Sequence, residues 1–350
     1  MRKIVGGTLT LLTNLAKHLS QKHDVAFAVK NASEKSFIDA TAKFDHEFVL
    51  ISDLKSKNAP MAIDLLICHF PYSVEHFTSM DNVRKVSVIM EIPEHFPIPI
   101  NTNNQEMFDK VIYLNDTQIA GIPKATDNAR FHKLNVIDDI DFTPTYRKTG
   151  DVGCVKSEFS TVHRAIEHSS GIKCFKVYHK FGEFYGPVFD LFFSIEQGGL
   201  RPQVAKQIRR LSQKMLITFA STMNSRSLKK TLQLLSVCHR IRIMGFERNI
   251  QKLFDSFDCL LRAPGHSIGV SLVVLDALAC GKQVVLSDIP EHRKAFSLFK
   301  GVSFVNDLQY CLNDLVRSYD ARTSRHIRDS YLSLYDRNKV LSEWEEILTT

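Results

Sequence analysis

Short apolar runs alternate along the chain with longer stretches in which apolar residues recur at helical spacing. The runs predict strands at Lys3–Val5, Val25–Val29, Glu47–Ile51, Asp64–Cys68, Val86–Met90, Lys110–Leu114 and Lys133–Ile137. Between them, helices are predicted at Thr8–Gln21, Glu34–Lys43 and Asp116–Gly121. The first has Thr8 as its N-cap and Leu9, Leu12, Leu15 and Leu19 on one face, expected to meet the core. Thr143–Asp151 is polar, carries Pro144 and Gly150, and reads as a linker. A second alternating region follows, with strands at Val152–Val155, Lys173–Tyr178, Met215–Phe219, Arg240–Met244, Cys259–Leu261, Gln283–Leu286 and Val302–Val305. The stretch Phe184–Lys214 receives no role from its pattern. A polar helix, Ala321–Leu348, closes the chain and holds the one tryptophan, Trp344. Alternation of this kind implies an α/β protein with mostly parallel sheets and helices on both faces, and ligands there bind beyond the carboxyl ends of the strands.

The densest pattern lies between Gly265 and Arg293. Gly265, His266, Ser267 and Gly269 predict a tight loop, and Ser271–Cys280 a helix with Leu272, Leu275, Leu278 and Ala279 on one side. Gly281 suits the left-handed residue that ends a helix. A small-residue turn feeding a helix start offers free N–H groups and a positive dipole end, which suits phosphate. Asp276 lies five residues into that helix, where a carboxylate can reach a second ligand group.

Composition narrows the class of protein. A 350-residue chain with 44% hydrophobic and 24% charged residues fits two globular domains. No apolar run is long enough to span a bilayer, and two apolar residues between Lys3 and Gly6 do not make a signal peptide. The seven cysteines form no CxxC pair and sit mostly in apolar runs, which predicts buried free thiols in a reducing, cytoplasmic setting. A net charge of +7 suits an anionic partner: a nucleotide-sugar, a phospholipid surface or, less favoured, nucleic acid. No nucleic-acid-binding motif and no zinc-ligand spacing is present.

The run from Gly265 to Gly281 resembles the donor-binding segment of the retaining family-4 glycosyltransferases of the GT-B fold. Their pattern is Glu-Gly-Phe-Gly/Ser-Leu, three residues, then Glu-Ala-Met-Ala-Cys-Gly-x-Pro-Val-Val. The resemblance recurs along the chain: at Gly6-Gly7 and the helix after it, at Asn135–Pro144, at Met244-Gly245-Phe246, and at Leu253–Leu261. It implies two doubly wound Rossmann-like domains facing a cleft, with residues 1–145 on the acceptor side, 146–325 on the donor side, and a final helix, 326–350, packing back on the first domain. It implies transfer of a sugar from a nucleotide-diphosphate sugar to a hydroxyl of a glycan, lipid-linked sugar or other acceptor, with retention and without metal or other cofactor. Peripheral contact with a membrane is compatible with this.

The resemblance also distributes roles. Gly6 and Gly7 would line the cleft near the transferred sugar. The donor would be held by Gly245, His266, Ser267, Gly269, Ser271 and Leu272, with Asp276 on the ribose. His69 follows the strand Asp64–Cys68, and Glu91 follows Val86–Met90 with His95 nearby, so both His69 and Glu91 are candidates for acid–base work on the acceptor. An exposed loop acid or turn histidine accounts for either equally well. Four positions depart from the family. Ile268 stands where its first glutamate would be, Met90 where its acceptor-side histidine would be, and Cys154 and Phe159 where a basic pair would hold the diphosphate. Substitutes are Lys156 and Arg164 or, in another register, Arg226, Lys229 and Lys230, which cluster at a helix start. Glu291, His292 and Arg293 read as an exposed polar turn. The departures keep a second reading open, a glycosyltransferase-like protein that binds without catalysing.

Overall fold

A computed structural model of the chain describes residues 7–29, 46–54, 63–70, 82–89, 107–119, 122, 129–137, 146–155, 165–166, 169–178, 240–244, 247, 249–262, 270–305 and 312–350. Among these, the helices are α1 (Gly7–Leu19), α2 (Ile51–Leu54), α3 (Ile250–Asp255), α4 (Leu272–Ala279), α5 (Pro290–Phe296), α6 (Leu312–Ser318), α7 (Ala321–Leu334) and α8 (Arg337–Thr349). The first six strands are β1 (Ala26–Val29), β2 (Glu47–Leu50), β3 (Leu65–Phe70), β4 (Arg84–Ile89), β5 (Lys110–Tyr113) and β6 (Phe131–Lys133). The second six are β7 (Asp151–Cys154), β8 (Cys174–Val177), β9 (Ile241–Ile243), β10 (Cys259–Arg262), β11 (Gln283–Ser287) and β12 (Val302–Val305). The expected strands at 3–5 and 215–219 and the helix at 34–43 lie outside the described residues. No described helix is long and apolar enough to cross a membrane.

The chain divides into two compact units, one made of Met1–Asp139, Ile268–Leu272 and Tyr335–Thr350, the other of Ile140–Ser267 and Val273–Leu334. In the first unit β1 pairs in parallel with β2, and β3, β4, β5 and β6 form a four-stranded parallel sheet in chain order. Leu66, Cys68, Ile89, Phe108, Val111, Ile119 and Ile122 build its core with Leu54 from α2. Helix α1 begins at Gly7, so Thr8 lies inside it rather than capping it. Its buried stripe is Leu11, Leu15 and Leu19, while Leu12, expected in the stripe, is only half-buried.

The expected continuous terminal helix is two helices. Tyr335 and Asp336 interrupt it, and the Asp336 carboxylate caps α8 by accepting from the N–H groups of Asn338 (3.0 Å) and Lys339 (3.2 Å). Helix α8 buries Val340, Trp344 and Leu348. The Trp344 indole N–H donates to the Asn135 carbonyl at 2.7 Å, and Lys110 Nζ donates to the Ile347 carbonyl at 2.8 Å. Glu345 accepts from Lys22 Nζ at 2.7 Å and lies 3.0 Å from His18 Nε2, so α8 is also tied to α1.

Among the described residues, the second unit carries a six-stranded, all-parallel sheet in the order β12-β11-β10-β7-β8-β9. Its central strands are apolar where both faces are covered: Cys259, Leu260 and Leu261 of β10 and Val284, Val285 and Leu286 of β11 are fully buried. At its amino edge the buried Asp258 carboxylate, just before β10, accepts from the N–H groups of Thr149 (2.8 Å) and Gly150 (2.7 Å) and from the Thr149 hydroxyl (3.0 Å). This fixes where β7 starts beside β10. Gly153 in β7 leaves room for the Phe257 ring, since a Cβ there would lie 2.3 Å from it. Helix α4 stops at Gly281, whose φ of 68° and lack of a side chain fit a left-handed stop against the Ser324 carbonyl. Next to it, Lys282 is fully buried, with its ammonium 5.3 Å from the Tyr319 ring centroid and no hydrogen-bond partner among the described residues. Cys68, Cys154, Cys174, Cys259 and Cys280 are buried free thiols, as expected.

Candidate functional site

The strand order of the second unit locates its binding edge. From β7 the sheet winds outward through β8 to β9, and from β10 it winds the other way through β11 to β12. The direction reverses between β7 and β10, and doubly wound sheets take ligands in the crevice beyond the carboxyl ends of the strands at such a switch point. Register holds these two ends level, with Leu261 opposite Cys154.

On the β7 side the last residue is Cys154, 1% exposed. Burial pushes its thiol well above the ordinary range, with the Cys174 sulfur adding to this, so the position carries no charge. On the β10 side the last residue is Arg262, half-buried and paired in register with Leu286 of β11. Burial lowers its pKa, yet a guanidinium remains a cation at any physiological pH. The apolar run stops at Leu261, so the strand expected from the pattern does not include Arg262. The available clue was a charge closing an otherwise apolar run at the ligand edge.

After β10 the chain re-enters the described residues at Val270. Ser271 stands just before α4, Leu272 opens it, and Asp276 follows in its second turn. The Asp276 residue is 8% exposed, a low value for a carboxylate. Its charge contributes to raising the Cys280 thiol one turn later, behind the larger effect of burial.

Beyond β11, Glu291, His292 and Arg293 belong to α5 and do not form the exposed turn that was expected. Pro290 opens the helix and turns His292 inward, where it is 2% exposed, with Nδ1 2.9 Å from the Ser287 carbonyl. Burial lowers the imidazole pKa, and the neighbouring Arg262 charge lowers it further, while the Ser287 bond and Glu291 act the other way. Arg293 stays outside, donating through Nη2 to Asp288 at 2.8 Å and lying 5.1 Å from the Phe304 ring centroid.

In the first unit His69 is inside β3, opposite Val88, and not after the strand, because β3 runs on to Phe70. Gly7 is the first residue of α1. Gly6, Glu91, Arg226, Lys229, Lys230, Gly245, His266, Ser267 and Gly269 lie outside the described residues, as do Met90, His95, Lys156, Phe159, Arg164 and Ile268. Of the expected donor residues around α4, the structure describes Ser271, Leu272 and Asp276, while Arg262 closes β10 at the carboxyl edge and its charge acts on His292.

No family model and no curated protein matches the sequence. Solved structures do match. HepE from Anabaena, crystallised with UDP and glucose, is 12% identical and superposes with a TM-score of 0.68 over 100% of this chain and 97% of its own. The fold is GT-B. A glycosyltransferase from Rickettsia africae gives 11% identity and a TM-score of 0.65 over 99% of this chain and 96% of its own. Sucrose-phosphate synthase from Thermosynechococcus elongatus gives 9% and 0.61, over 96% and 91%. At these identities the likeness concerns the path of the backbone, and the GT-B chemistry has to be argued from the residues.

Proposed function

We propose that the chain is a glycosyltransferase that moves a sugar from a nucleotide-diphosphate sugar to an acceptor hydroxyl, with retention, in the manner of the family-4 enzymes that its Gly265–Gly281 segment resembles. The observation that carries this is the winding reversal at β7 and β10, because β10 leads directly into that segment and then into α4 with its buried Asp276. The nucleotide ribose is the proposed partner of Asp276, whose carboxylate accepts from a sugar hydroxyl. The HepE complexes with UDP and with UDP-glucose make a uridine diphosphate sugar the first donor to test.

In this reading the acceptor oxygen bonds to the sugar carbon as that carbon's bond to the diphosphate oxygen breaks. The acceptor hydroxyl proton passes to an acceptor-side base or to the departing diphosphate, and the protein stabilises that diphosphate. Backbone N–H groups at the start of α4 and nearby cations are the means, so the reaction proceeds without a metal ion. Glu91 and His69 remain the proposed acid–base groups on the acceptor side. Glycans and lipid-linked sugars are the proposed acceptor classes.

The test is calorimetric titration with UDP, followed by turnover of a nucleotide-sugar panel on glycan and lipid-linked acceptors, with and without chelator. The expected result is UDP binding, transfer that survives the chelator, and a loss of about 10- to 100-fold in UDP affinity for Asp276→Ala, the range of a charged hydrogen bond. Unchanged affinity in that variant overturns the ribose assignment. Nucleotide binding without turnover on any acceptor favours the binding-only protein, a reading that the uncharged, buried Cys154 at the family's arginine position supports.

A further inference from the structure

We infer that Arg262 supplies the positive charge that the donor diphosphate requires, in place of the basic pair absent from the positions of Cys154 and Phe159; the inference rests on the glycosyltransferase reading above. Three observations converge on this residue. Arg262 ends β10, one of the two strands flanking the switch point, and the strand beside it ends in Cys154. Among the last residues of the six strands (Cys154, Val177, Ile243, Arg262, Ser287 and Val305) it alone is basic. It is also half-buried, so its charge is partly withdrawn from water, where a cation attracts an anion more strongly than on an open surface.

Among the described residues, two other basic groups beyond β11 are otherwise placed. His292 is held in its neutral form by burial and by Arg262 itself, so it adds no second charge. Arg293 is engaged by Asp288 on the exposed side of α5. The charge lost at the end of β7 is thus replaced one strand across, at the end of β10. A planar guanidinium suits the task because its fork of N–H groups can engage two phosphate oxygens together. Arg262 then acts as a binding and specificity residue: it distinguishes a nucleoside diphosphate from the nucleoside, and it favours the diphosphate most once the sugar has left.

Calorimetric titration of the full chain, and of its Arg262→Gln and Arg262→Lys variants, with uridine, UMP and UDP tests this. Arg262→Gln is expected to weaken UDP by about 10- to 100-fold, UMP by less and uridine not at all, the range for a charge-assisted bond. Arg262→Lys keeps the charge without the fork and is expected to lose less than Arg262→Gln; it carries the test if the glutamine variant does not fold. With UDP-sugar as substrate, a loss in kcat beyond the loss in KM places the charge on the departing diphosphate. Equal weakening of uridine and UDP would show that Arg262 merely shapes the sheet edge and would overturn the inference, as would unchanged UDP binding. Failure of the unaltered chain to bind UDP or any other nucleoside diphosphate would sink the glycosyltransferase reading itself.

Discussion

At the scale of single residues, His292 and Lys282 are both titratable and buried. His292 is buried and kept neutral, so its folded-state pKa lies below the ordinary 6.5. The unfolded chain therefore takes up this proton first as the pH falls. The resulting contribution is fully present above about pH 6.5, by the usual histidine value, and is lost below it as the pH drops toward the folded value. His292→Asn, whose amide can still donate to Ser287, is expected to flatten the decline of the thermal midpoint between about pH 6.5 and 5, where imidazole titrates. An unchanged acid limb would assign that decline to other groups. Lys282 has the opposite chemistry and the same sign. Burial lowers its pKa, with Asp258, Cys280 and Asp255 only partly offsetting this. Folding therefore disfavours its charge below the ordinary lysine range, and Lys282→Met is expected to hold or raise stability at pH 7 by about 1 kcal/mol, with the gain shrinking toward alkaline pH. Urea titration at two pH values reads this. Gly281 was legible from sequence because only the backbone decides a left-handed helix stop. The burial of His292 was not, because a polar triplet after a strand gives no sign of which side chain turns inward.

At the scale of elements, apolar runs located the strands well where burial on both faces makes them continuous, as in β10 and β11. They misplaced ends where polarity continues into the strand, as at His69 in β3 and Arg262 in β10. The break at Tyr335 and Asp336 escaped notice because both residues fit a helical pattern locally. What ends α7 and starts α8 is distant: the Tyr335 hydroxyl donates to the Val136 carbonyl, and only then does Asp336 serve as a cap. The seating of β7 is equally non-local, since Gly153 faces the Phe257 ring. Gly153→Ala, which puts a methyl into that contact, is expected to cost about 1–3 kcal/mol through overpacking. Denaturant unfolding measures it, and a neutral result would mean that Phe257 can swing aside.

At the scale of the molecule, doubly wound architecture was readable from the alternation of elements. The strand order that defines the switch point was not, since it depends on which strands pair across long separations. The residues that seat the final helix were equally unreadable. Its packing rests on Asn135, Lys110, His18 and Lys22, all more than 200 positions away. Trp344→Ala is expected to destabilise the first unit by about 3–5 kcal/mol, the usual cost of truncating a fully buried tryptophan. Proteolysis should then appear first within residues 1–139, and an unaltered digestion pattern would deny α8 that part in stability. Trp344 has one more consequence. It is the chain's single indole and it belongs to the first unit, so tryptophan emission reports the melting of that unit alone, whereas circular dichroism sums the helices of both. Overlaid, the two optical transitions tell whether the protein unfolds as one cooperative body or in two steps, with no label attached.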